Sequence, residues 1–197
     1  MTAPTTRKYK FFGLVTALGS AAVSLMTQVA YAGGKGHAAH EHGVAKVSVV
    51  AEGMTLTIQL EAPSESIYGF EHEAKKPSDV KKRDEAVEKL KTNADKIFLL
   101  DTSLECKVAN TDVKAFVTED KADDKENKKH SKKHKAGTHS EVHATFKFEC
   151  GKPVAGSTMK FAARSQFKAL RTLNVQVLSG DKQAGSTIKN DKGEIQL

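Results

Sequence analysis

Cys106 and Cys150 constrain this chain more than any other pair of residues, because the segments carrying them both read as strands and a bond between them would fix how those strands meet. Leu104–Val117 and His139–Cys150 are rich in strand formers and alternate in polarity. Set antiparallel with Cys106 opposite Cys150, they place Val108, Phe116, Val142, Phe146 and Phe148 on the cysteines' side, the expected core face. Lys107, Thr111, His139, Glu141, His143 and Glu149 then share the solvated face. In the chain-entropy model a crosslink closing a loop of this length stabilises the fold by about 4 kcal/mol. The competing reading is a pair of buried free thiols. A zinc–thiolate site suits two cysteines poorly when neither belongs to a CxxC pair.

The N-terminus favours the bond. Arg7, Lys8 and Lys10 precede an apolar run from Phe11 to Val29, and Ala30-Tyr31-Ala32 supplies a small-residue cleavage site. That order predicts a secretory signal peptide over residues 1–32 and a mature domain over 33–197. Gly13, Thr16, Gly19, Ser20, Ser24, Thr27 and Gln28 dilute the run, which makes it a poor membrane span. An uncleaved anchor is the alternative. Either way the remainder lies beyond the membrane, where disulfides form and persist. With no cysteine near the cleavage site to carry lipid, the expected product is soluble and has no membrane span once the signal is removed.

Export also changes the charge. The chain holds 31 Lys+Arg and 24 Asp+Glu, a net charge of +7. Three basic residues leave with the signal, so the mature chain carries +4. Seven of its lysines crowd the stretch from Lys121 to Lys135, leaving the rest close to neutral, and nucleic acid is not an expected partner. Residues 118–138 contain no aliphatic side chain larger than alanine and no aromatic one, so a long disordered histidine- and lysine-rich loop is expected there.

The remaining pattern is one of short elements. Val44–Val50 and Met54–Glu61 predict a hairpin turning at Glu52-Gly53, with Leu56, Ile58 and Leu60 inward. Val80, Val87, Leu90 and Ala94 recur at helical spacing after Pro77, predicting a surface helix capped by Ser78. Ile97–Leu100 is a short apolar segment, and Gln166–Arg171 suits a second short helix. Leu173–Leu178 and Ser186–Lys189 suit a closing hairpin around Ser179-Gly180-Asp181. The expected fold is α+β: a single sandwich-like domain, mainly antiparallel sheet, with one or two helices and one disulfide.

Chemistry concentrates in the eight histidines. His37, His40 and His42 open the mature chain, His130, His134, His139 and His143 surround the lysine-rich segment, and His72 follows Glu71. Zinc takes four ligands from imidazole, thiolate and carboxylate, and imidazole is the natural donor where thiols are oxidised. Strand alternation lets His40 and His42 point together, as it does His139, Glu141 and His143. Lysines beside His130 and His134 repel a cation and weaken that pair as a site. Each group also has a plainer explanation: a surface histidine at His72, a solvated lead-in at His37–His42, and a charge run with incidental histidines at His130 and His134.

The segments His37-Ala-Ala-His40-Glu41-His42-Gly43-Val44-Ala45 and Gly69-Phe70-Glu71-His72, with the histidine-bearing stretch before Phe146-Lys147-Phe148-Glu149-Cys150, resemble a family of bacterial periplasmic zinc-binding proteins, the zinc uptake complex component A family. The similarity covers essentially the whole mature chain. It implies a periplasmic protein of a Gram-negative bacterium, made under zinc shortage, that captures zinc and assists a zinc-binding protein and an ABC transporter. It further implies His40, His42 and His72 as ligands, with Glu71 as a ligand or its support. One departure stands out: the family's loop is dense in histidine and aspartate, whereas here it is mostly lysine. An exported module that binds a polyanion or acidic partner through those lysines is the alternative function. An enzyme is not expected, since no HExxH, GxSxG or phosphate-binding loop is present.

Overall fold

The computed structural model describes residues 41–118 and 139–197. The expected signal peptide, His37 and His40, and the expected loop from residue 119 onward with His130 and His134 lie outside the described residues.

Alternation of apolar and polar residues builds the large sheet. Its six strands are β1 (Val44–Glu52), β2 (Thr55–Pro63), β4 (Lys107–Thr118), β5 (Ser140–Glu149), β7 (Thr172–Ser179) and β8 (Lys182–Lys189), in the order β4-β5-β2-β1-β7-β8. Inward residues line up across four of them. Ala51 faces Leu56 and Leu56 faces Phe148; Val49 lies between Ile58 and Val177, and Ile58 faces Phe146; Val47 lies between Leu60 and Val175. All of these side chains are buried. A second sheet of β3 (Phe98–Leu100), β6 (Thr158–Phe161) and β9 (Glu194–Gln196) supplies Phe98, Met159, Phe161 and Ile195 to the same core. The sheets meet where Phe98 packs edge-on to Phe146, their ring centroids 5.2 Å apart.

The described residues hold four α-helices, not one or two, and a single 3-10 turn (Thr102–Leu104): α1 (Ser64–Tyr68), α2 (Pro77–Thr92), α3 (Ala94–Ile97) and α4 (Ala163–Gln166). Only α2 exceeds five residues. It starts two residues earlier than expected, with Lys76 at the cap in place of Ser78 and Pro77 in the first turn, where a proline's missing N–H costs no bond. The helix expected over Gln166–Arg171 stops at Gln166, because Phe167 turns to an extended conformation and buries its ring. The ladders are antiparallel except β1–β7, which is parallel.

Cys106 and Cys150 are bonded, and Lys107 pairs with Glu149 beside them, as the antiparallel reading requires. Val142, Phe146 and Phe148 are buried as expected, whereas Val108 is exposed and Phe116 is half-buried with a positive φ of 65°. The register of β4 shifts between Val108 and Asn110 and again between Lys114 and Val117. Each shift breaks the alternation of faces, so Val113 and Ala115 pack on the core in place of Val108 and Phe116.

Replacing both cysteines (Cys106→Ala/Cys150→Ala) is expected to lower the unfolding free energy by about 4 kcal/mol. Urea denaturation of the variant against the oxidised protein measures this; midpoints that coincide would show that the bond adds nothing to stability.

Candidate metal centre

Three central strands finish at one end of the large sheet. Lys46 registers with Glu61, and Pro63 with Glu141, so the start of β1, the end of β2 and the start of β5 lie side by side. His42 precedes β1, Glu65 follows β2, and His139 precedes β5. The register that fills the core thus brings the backbones of these three residues to one end of the sheet.

Two glycines shape the connections. Val44 N–H donates to the carbonyl of Glu41 (3.1 Å), closing a turn with His42 and Gly43 at its centre. Gly43 has φ +81°, and a Cβ there would lie 2.9 Å from the carbonyl oxygen of Ala169. Only glycine fits both demands. Gly69 ends α1 at φ +93°, its N–H donating to the carbonyl of Glu65 (2.9 Å), and reverses the chain so that Glu71 returns toward α1. Phe70 packs on the core and against Tyr68, and the carbonyl of Glu71 accepts from the Ser140 hydroxyl (2.7 Å).

Around Glu71 the side chains converge. His42 Nδ1 contacts the Glu65 carboxylate and lies 3.8 Å from Glu71 Oε1. The other oxygen of Glu71 lies 2.7 Å from His139 Nδ1. Donor atoms of His42, Glu65 and Glu71 all fall within 4.8 Å of one another. Glu71 Oε1 is buried without a hydrogen-bond partner, a position that ordinarily costs about 1–3 kcal/mol and that a cation would satisfy. The Glu71 side chain is 19 % exposed, against 55 % for His42 and 57 % for His139. The carboxylate is therefore the floor and the imidazoles the rim of a site open to solvent.

Other expected ligands sit elsewhere. His72 Nε2 lies 3.2 Å from Asp79 Oδ2 on α2, and its ring stacks on Phe70. His143 Nε2 lies 2.8 Å from Glu141 Oε2. Four strand positions separate His139 from His143, about 13 Å along the backbone, so the structure gives the two imidazoles different partners. Glu65 was not foreseen from sequence: α1 is too short to leave a periodic signature, and only the glycine four residues on hints at a helix end.

Asp79 is the site's neighbour with a perturbed carboxyl. The hydrogen bond from His72 holds it below the ordinary value of 3.8, helped by the Ser78 hydroxyl and the His72 and Lys76 charges and opposed by partial desolvation.

A mainly β domain with imidazoles and carboxylates gathered on a solvent-open sheet end has the make-up of a metal-ion-binding protein. The chain belongs to the ZrgA family of zinc uptake proteins, whose family model matches residues 39–197. A comparison with curated proteins found no match. Among the described residues no helix is long and apolar enough to cross a membrane.

Two outcomes follow from this geometry. Gly43→Ala is expected to lose about 1–3 kcal/mol of stability in urea denaturation, because alanine must adopt a left-handed backbone there. Because the folded Asp79 carboxyl is depressed, its contribution is complete above pH 3.8 and lost as pH falls through the lower folded value. A side-chain carbon NMR titration of Asp79 should accordingly show a midpoint below 3.8, and one at or above it would contradict the His72 contact.

Proposed function

We propose that the protein captures zinc outside the cytoplasm as cargo, at His42, Glu65, Glu71 and His139, and so assists zinc acquisition under zinc limitation. The observation that carries this reading is Glu71, whose two oxygens reach toward two imidazoles beside a second carboxylate. His42, Glu65 and Glu71 offer one imidazole and two carboxylates within 4.8 Å, His139 meets the other oxygen of Glu71, and these are donor types that zinc takes; with both cysteines bonded no described thiol competes. The reading places the protein in the periplasm, on a sandwich-like scaffold of two sheets, and assigns it no catalysis. From there zinc passes to a periplasmic zinc-binding protein and an ABC transporter. Membership of a zinc uptake family supports zinc as the cargo. His40, His130 and His134 remain candidate accessory donors next to this site in sequence, and His37 a further one.

Imidazole ligands must be neutral and carboxylates ionised, so binding releases protons and affinity should fall as the solution is acidified. The test is a competitive zinc titration of the signal-free, metal-stripped protein against a chromophoric chelator near neutral pH. His42→Ala and Glu71→Gln are each expected to weaken binding beyond the roughly 10–100-fold typical of changes outside the ligand set. His72→Ala, which removes a partner of Asp79, is expected to leave affinity near wild type. Wild-type affinity in both His42→Ala and Glu71→Gln would move the site elsewhere.

A further inference from the structure

Three polar side chains are buried among the described residues: Ser64, Ser66 and Ser140. Each adjoins a candidate ligand in sequence, Ser64 and Ser66 flanking Glu65 and Ser140 following His139. Two of the three hydroxyls bridge segments distant in the chain. Ser66 Oγ accepts the N–H of Gly43 (3.0 Å), the residue after His42. Ser140 Oγ donates to the carbonyl of Glu71 (2.7 Å). The third, Ser64 Oγ, has no hydrogen-bond partner.

The bridges follow the pairing of the ligands. Ser66 ties the helix carrying Glu65 to the turn carrying His42, and His42 is the imidazole that contacts Glu65. Ser140 ties the start of β5 to the connection carrying Glu71, and His139 is the imidazole on Glu71. Neither serine offers its oxygen to the cluster itself. Both bonds are made by backbone groups within one residue of a candidate ligand, so they fix where its Cα stands without using its side chain.

We propose that Ser66 and Ser140 are positioning residues of the zinc site, stitching its four ligands into two preset pairs before metal arrives. This rests on the site assigned above. A metal site on turns and strand ends lacks the rigidity of one on a single helix, and small displacements of its donors cost affinity. Outer contacts that hold ligands in place typically carry about 10–100-fold in metal affinity. The stitches supply that hold from buried positions, where a hydroxyl is shielded from exchange with water.

Ser64 provides the control, being as buried as Ser66 and equally close to Glu65 but making no bond. Ser66→Ala and Ser140→Ala are each expected to raise the zinc dissociation constant about tenfold with stoichiometry unchanged. Ser64→Ala should stay near wild type. Cobalt(II) serves as a second probe: its visible spectrum reports ligand geometry and is expected to change in Ser66→Ala and Ser140→Ala but not in Ser64→Ala. Affinities and spectra of both stitch variants that match wild type overturn the proposal, as does an equal loss in Ser64→Ala, which would mean packing alone is at stake. If Ser66→Ala does not fold, Ser140→Ala decides alone. His42→Ala runs alongside: wild-type zinc affinity there removes the site itself, whereas loss in His42→Ala with none in the serine variants removes only the stitches.

Discussion

Register across β7, β1, β2 and β5 is the constraint on which the rest depends. Alternation has a period of two, so a one-residue slip of β2 would turn Leu56, Ile58 and Leu60 from the core to solvent. The same slip would carry Glu65 about 3.3 Å along the sheet relative to His42 and His139. Core and candidate site are therefore read from one alignment, and hydrophobic burial holds the candidate ligands' backbones even though none of them is itself apolar. Losing a buried ring such as Phe146 costs about 3–5 kcal/mol. That is comparable with the contribution of the disulfide, so β4 is held to β5 as strongly by covalent closure as by any single core residue.

The disulfide and the sheet end divide the labour. Cys106–Cys150 lies at the end of the β4–β5 ladder opposite to His139, since Lys107 pairs with Glu149 at one end and Thr118 with Ser140 at the other. β4 carries the irregularities, including Phe116 with its positive φ, while β5 keeps an unbroken alternation from Ser140 to Phe148. Bulges on the outer strand of a sheet also blunt its open edge against pairing with other chains. The inner strand that supports His139 stays regular.

Much of this was legible in the sequence, and the failures have definite causes. The β1–β2 hairpin, the strand of Leu173–Leu178 and the pairing of Cys106 with Cys150 follow from alternation and turn residues. Val108 and Phe116 defeated the same logic, because a bulge inserts a residue that composition does not mark. The small sheet was missed since strands of three or four residues such as β6 and β9 fall below any periodic signal. His42, Glu71 and His139 were named as candidates, but Glu65 sits on a five-residue helix whose only cue is Gly69. The resemblance put His72 among the ligands; the structure gives its ring to Asp79, a partner that becomes visible only once α2 is placed beside the Gly69–His72 turn.

The arrangement of the cluster bears on what kind of metal site it can be. Structural zinc sites are closed by four protein ligands and shielded, and they contribute directly to folding. Here the core is complete without the cluster, and both imidazoles are more than half exposed. An ion held there can be reached by water and by an incoming donor from another protein, so it can leave by ligand exchange without unfolding the domain. Burial is kept for the one carboxylate between the two imidazoles, whose unpartnered oxygen costs about 1–3 kcal/mol. A cation bound there would relieve that cost. Its removal would restore that cost without touching the buried core, as capture followed by release would require.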